Sequence, residues 1–158
     1  MMRNWKKIIA LLVVMAVWLG LMWRLSTENG TETLKDSMRF ARKIGGWLYD
    51  APTEAQLSHL NLILRKMAHV FLYAVLGGLF ALLWQLLLEA HAIWLRIVCA
   101  AGCCTVIAFL DELQKIPIAG RHFDFSESLL NAGSAAAVIL LFFAAFWLCT
   151  RRCASKNK

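Results

Sequence analysis

Proline is almost missing from this sequence, and its two copies, Pro52 and Pro117, lie between apolar runs rather than inside them. No run is broken by a residue that removes a helix hydrogen bond. Charge is scarce too, at 17% of 158 residues, against about 25% in an ordinary soluble domain. Hydrophobic residues reach 60%, and the mean hydropathy is +0.60. Five cysteines are present without a zinc or redox spacing. Cys99, Cys103 and Cys104 form C-x-x-x-C-C inside an apolar run, and Cys149 and Cys153 stand near the C-terminus. The net charge of +7 comes with no nucleic-acid motif, and anionic lipid accounts for it more simply. What is left is one small membrane domain with no room for a second.

Crossing the hydrocarbon takes about 20 mostly apolar residues. Four stretches qualify, at about 5–24, 67–88, 92–111 and 125–149, all of helix length. An isolated strand in lipid would leave its backbone groups unpaired, so helices are expected. The expected fold is therefore all-α, a bundle of about four transmembrane helices. The first run follows Arg3, Lys6 and Lys7 as a secretory signal would, yet it ends Trp18-Leu19-Gly20-Leu21-Met22-Trp23-Arg24. Those bulky residues lack the small-residue pattern of a cleavage site, so an uncleaved first span is expected.

Residues 25–66 form a long first loop. Within it Leu34, Met38, Ala41 and Ile44-Gly45 recur at helical spacing, with Lys35, Arg39, Arg42 and Lys43 on other faces. Trp47, Leu48 and Tyr49 follow. The pattern predicts an amphipathic helix on the membrane surface with an aromatic anchor at its end. Thr53-x-x-Gln56 is a capping box for a helix that enters the second span. Residues 112–124 make a short polar loop and 150–158 a basic tail. The purely basic N- and C-terminal tails favour both termini on the cytoplasmic side of the membrane.

The ionisable residues carry the functional signal. A charge at membrane depth costs roughly 2.5–3.5 kcal/mol, so such groups persist where they face protein, a partner or a watery cavity. Chain direction alternates between spans. The end of span one, the start of span two, the end of span three and the start of span four therefore share one membrane face. Ser26, Arg65, Lys66, His69, Asp111, Glu112, Arg121, Asp124, Glu127 and Asn131 all fall there. The opposite face offers Arg96, Glu89, His91 and the C-terminal tail, read as loop polarity. Arg65, His69 and Tyr73 follow i, i+4, i+8 down one face of span two. Asp124, Glu127, Asn131 and Ser134 form a second stripe on span four. Facing each other beneath Asp111-Glu112, the stripes would enclose a shallow polar cavity. Loop 114–121, punctuated by Pro117 and Gly120, is apolar enough to dip into the interface and lay Arg121 over it. Ala74, Gly77, Gly78 and Ala81 on span two, with Ala132, Gly133 and Ala135-Ala136-Ala137 on span four, read as close-packing faces.

These residues resemble the VanZ-like family of small bacterial membrane proteins, along nearly the whole chain. Arg65-Lys66-Met67-Ala68-His69-Val70-Phe71-Leu72-Tyr73-Ala74-Val75-Leu76-Gly77 is similar to the family's basic-x-x-His-x-x-x-Tyr-x-x-x-Gly block. Asp111-Glu112 followed by Gly120-Arg121 is similar to its Asp-Glu…Gly-Arg block. Glu127 and Asn131 stand where the family commonly has Asp and Asn. Lys115 replaces a frequent Gln, with Gln114 beside it, and the expected Gly comes one place early, as Gly133. The resemblance implies a cell-envelope role with low-level resistance to lipid-tailed glycopeptides such as teicoplanin.

Three readings of the site remain open at this point. In the first, an outward-facing pocket binds a lipid headgroup, a lipid-linked envelope precursor or a lipoglycopeptide. Arg65, Lys66 and Arg121 would hold phosphate or carboxylate, with Tyr73, Asp111, Asp124 and Asn131 around them. In the second, the protein is an intramembrane enzyme acting on such a lipid, with His69 as acid or base and Glu112 or Glu127 as its partner. No nucleophile motif accompanies it. In the third, the charges pair with one another to fix helix packing, Glu112 with Lys115 for instance. No cofactor is expected. A divalent ion on Asp111, Glu112, Glu127 and His69 is conceivable but disfavoured, because the spacing matches no dedicated metal motif.

Overall fold

The structure is a computed structural model and describes residues 4–27, 30–118 and 120–156. Five helices follow in order: α1 (Trp5–Thr27), α2 (Gly30–Leu48), α3 (Glu54–Leu87), α4 (Ile93–Leu113) and α5 (Phe125–Lys156). Four of them, all but α2, are long and apolar enough to cross a membrane. The protein is an all-α, multi-pass membrane bundle with an additional amphipathic helix.

α3 is the hub, packing against each of the other four helices, while α4 and α5 also pack on each other. The tightest approach joins α3 to α5. A Cβ on Gly77 would lie 2.6 Å from the Ala135 carbonyl oxygen, so only glycine lets the two backbones meet there. Tyr73, Leu76, Ala81, Ala135, Ile139 and Phe143 form the buried core around that contact. α1 buries Leu11, Met15, Met22 and Ser26 on one face, while much of its remaining apolar surface stays outside, as a lipid-facing helix requires. It is tied to α3 by the Trp18 indole N–H, which donates to the Leu72 carbonyl at 3.2 Å, and by an edge-on contact of Trp18 with Phe71.

α3 begins 13 residues before the expected start of the second span. The Thr53–Gln56 capping box is formed in both directions, so helical structure starts at Glu54 and runs unbroken into the membrane. At 1.5 Å per residue, its 34 residues exceed the hydrocarbon thickness by roughly 20 Å. α2 packs on this projecting end, with Ala41 fully buried and Gly45 against Leu57. Trp47, Leu48 and Tyr49 stand clear of the protein. Leu34 does as well, so the buried stripe of α2 runs through Met38, Ala41, Ile44 and Gly45.

At the other end of the bundle, Arg96 departs from its reading as loop polarity. It is buried and donates to the carbonyls of Leu88 (2.9 Å), Glu89 (2.6 Å) and His91 (2.7 Å) and to Gln85 Oε1 (2.7 Å). The last turn of a helix leaves carbonyls without partners. One guanidinium supplies them here, welding the end of α3 to the start of α4.

Candidate functional site

The far end of the bundle holds a cavity of about 320 Å³ between α1, α2 and α3. Its walls are mostly apolar, with Met22 and Leu25 from α1, Phe40 from α2, and Leu64 and Leu72 from α3. Its polar groups are Ser26, Arg65, His69, Tyr73, Asp111 and Arg121, with Thr33, Asp36 and Ser37 from α2. Spans one, two and three and the third loop all contribute, as alternating chain direction requires. The stripe Arg65, His69, Tyr73 lies along one side because residues four apart share a helix face.

The opposite wall differs from expectation. The polar stripe of α5 does not line the cavity, and α1 and α2 stand in its place. Glu127 turns instead to Lys115, whose ammonium reaches Glu127 Oε2 at 3.1 Å and also donates to Glu112 Oε1. Glu112 is 0% exposed and Lys115 3%. The second oxygen of Glu112 accepts the Asp124 backbone N–H at 3.4 Å. This knot joins the end of α4, the third loop and the start of α5 directly behind the cavity. A buried ammonium beside two carboxylates is sustained by such mutual pairing, and removing the cation would leave both acids exposed to the full cost of burial. The Glu112–Lys115 pair was visible as a local possibility. The bond to Glu127 was not, since it depends on how α5 returns.

The third loop is a chain of short turns, with Ile116 N–H bonded to Leu113, Ile118 to Lys115 and Arg121 to Ile118. These satisfy backbone groups in an apolar segment. Gly120 takes φ 75° in the last of them, a conformation open to glycine. That turn aims Arg121 at α2, where its guanidinium donates to the Thr33 hydroxyl at 2.9 Å. Ala119 lies outside the described residues. Asp124 caps α5, its Oδ1 accepting from the Ser126 N–H (2.8 Å) and hydroxyl (2.7 Å). Those two bonds hold its carboxyl below the usual aspartate range.

Several buried polar atoms meet no hydrogen-bond partner among the described residues. Ser26 Oγ, His69 Nδ1 and Tyr73 Oη are among them, and all three residues line the cavity. Tyr73 is 1% exposed, its hydroxyl near the Asp111 carboxylate without good hydrogen-bond geometry. Asp111 is 9% exposed and accepts from Gln114 Nε2 at 2.7 Å. His69 is within electrostatic reach of Lys115, Glu127, Asp111 and Arg65. Asn131 is fully buried one turn from Ala135, with neither amide atom partnered, and lies away from the cavity. Lys66 and His122 are exposed and do not line it.

The structure thus separates the sequence-level candidates. Arg65, His69, Tyr73, Asp111 and Arg121 face one cavity, and Glu112, Glu127 and Asp124 belong to the knot behind it. Among the described residues, no three His, Cys, Asp or Glu side chains are grouped as a metal site. Ser26, Thr33, Asp36 and Phe40 complete the cavity. Of these, Ser26 was legible from its place at the end of span one. No family model matches the chain, no curated protein matches it, and no solved structure does.

Proposed function

We propose that this is a VanZ-like protein of the bacterial inner membrane whose rim cavity holds an amphipathic envelope ligand, a lipid or a lipid-tailed glycopeptide. With both termini cytoplasmic, the cavity opens on the outer face, and occupancy there gives low-level protection against teicoplanin-type antibiotics. One observation carries the reading: cationic Arg65 and Arg121 stand beside an apolar wall in a space where buried polar atoms of Ser26, His69 and Tyr73 make no hydrogen bond of good geometry among the described residues. A protein that only needed helix packing gains nothing from unpaired buried donors and acceptors. An amphiphile supplies both a polar head and an apolar chain.

Expression in a susceptible bacterium tests this. The inhibitory concentration of teicoplanin should rise, while that of a glycopeptide lacking an acyl tail stays level. Ala68→Trp, which fills the cavity from its wall, should erase the rise at unchanged protein level. An unaltered teicoplanin threshold in cells that carry the wild-type protein ends the reading.

A second reading is favoured by His69 alone. The residue lines the same cavity as Tyr73 and Asp111, and its buried Nδ1 meets no partner among the described residues, a placement suited to proton transfer on a lipid-linked substrate. In this alternative Glu112 and Glu127 act through Lys115 rather than on substrate. Release of product from labelled envelope lipids, lost in His69→Ala, distinguishes it from simple retention.

A further inference from the structure

Asp111 lines the cavity without a cation at ion-pair distance among the described residues. It accepts a hydrogen bond from neutral Gln114 and has the Tyr73 hydroxyl beside it. The nearby cation Lys115 is committed to Glu112 and Glu127. A buried carboxylate is stabilised best by a cationic neighbour, and the described residues place none at ion-pair distance. Nearby, Ser26 Oγ, Tyr73 Oη and His69 Nδ1 make no hydrogen bond of good geometry among the described residues. Arg65, likewise without an ion pair among the described residues, lines the same space as Arg121 and gives it a cationic side. The cavity therefore offers cationic donors and an anionic acceptor together, with an apolar wall of Met22, Leu25 and Leu72. Its volume of about 320 Å³ falls within the range of small-molecule sites.

Building on the amphiphile reading above, we infer that the cavity selects a zwitterionic aminoalkyl phosphate. The phosphate is held by Arg65 and Arg121, the primary ammonium by Asp111, and any acyl chain lies along the α1 wall. Charge-assisted bonds to guanidinium suit the phosphate. An ammonium has three donors, enough to serve Asp111 together with the Ser26 and Tyr73 oxygens. A purely anionic headgroup would bring a second negative charge toward Asp111 without relieving it. The same chemistry occurs in a phospholipid headgroup and in a free phosphate ester.

Full-length protein in detergent, exchanged with an equimolar mixture of phosphatidylethanolamine and phosphatidylglycerol of identical chains, tests the assignment. Native mass spectrometry reads the retained lipids. Wild type should favour phosphatidylethanolamine by about tenfold, the equivalent of one charge-assisted hydrogen bond. Asp111→Asn keeps the shape and the acceptor for Gln114, and it should bring the ratio close to one without lowering phosphatidylglycerol retention. Arg65→Gln should reduce both lipids together. Adding 2-aminoethyl phosphate separates the sources: displacement of the lipid by this tail-free ester assigns the site to the free compound, and lipid that stays bound assigns it to the headgroup of a lipid. Equal retention by wild type, or a preference that survives Asp111→Asn, overturns the ammonium assignment while amphiphile binding stands. Retention of neither lipid, with no binding of the free ester, removes both.

Discussion

Arg121 donates to the Thr33 hydroxyl at 2.9 Å across 88 positions of sequence. This bond connects the third loop to the amphipathic helix α2 and closes the cavity between them. Both residues line that cavity, so the contact is part of its wall as well as a clasp. Thr33→Val should loosen α2 by about 1 kcal/mol, the ordinary contribution of one such bond. Hydrogen exchange along residues 33–41 should accelerate severalfold, with α4 and α5 unchanged. Equal exchange in variant and wild type would mean that this bond does not hold α2.

Lys115 holds two carboxylates, so its removal should cost far more than the removal of one carboxylate. Lys115→Met is expected to destabilise by about 3–5 kcal/mol, the usual penalty for leaving buried charge unpaired. Pairing it with Glu112→Gln should recover part of that loss, because one uncompensated charge disappears with its partner. Thermal unfolding in detergent of the two single variants and the double variant forms the cycle that reads this coupling. Strict additivity would argue that the contacts are not coupled.

Asp124 makes the N-terminus of α5 sensitive to acid. Its carboxyl is held below the ordinary value of 3.8 because the Ser126 hydroxyl and N–H bond to the charged form. A group with a depressed folded pKa stabilises fully above its unfolded value and loses that contribution as pH falls through the folded one. The cap is therefore intact at neutral pH and weakens only below about pH 4. Amide exchange at Phe125–Ser128, followed downward from pH 5, should show extra opening in that range. Asp124→Asn keeps an acceptor and should remove the pH dependence.

Gly77 sets the spacing of α3 and α5. With a Cβ placed 2.6 Å from the Ala135 oxygen, Gly77→Ala forces the backbones apart. A cost of about 1–3 kcal/mol follows from overpacking. Gly78→Ala, where the nearest atom is a Val138 methyl at 3.8 Å, should be close to neutral. Comparable melting temperatures for the two variants would show that the helices slide to accommodate the methyl group.

The apolar runs, the capping box at Thr53 and the alternating direction of the spans were legible from residue order. All rest on local chemistry or on the thickness of a membrane. The gathering of Arg65, His69, Tyr73, Asp111 and Arg121 at one end follows from span polarity, and the structure shows these five around one cavity. Helical spacing also marked out the Arg65–His69–Tyr73 face. It did not reveal which helix stands opposite. The polar stripe of α5 looked like the facing wall, yet Glu127 turns to Lys115 and Asn131 sinks into the interior.

Periodicity tells which residues share a face of one helix but not how that helix is rotated against its neighbours. That rotation is set by the close contact of Gly77 with Ala135 and by the bonds of Lys115. Arg96 shows the same limit at the opposite end, where a basic residue read as loop polarity is the donor for three carbonyls. By itself, the order of residues determined four membrane-length helices, an amphipathic helix between the first two, and the end of the bundle at which chemistry collects. Only the tertiary structure decided that α1 and α2 wall the cavity while two acids withdraw behind it. The reason is that side-chain pairing between distant helices depends on packing distances and rotations that no single helix encodes.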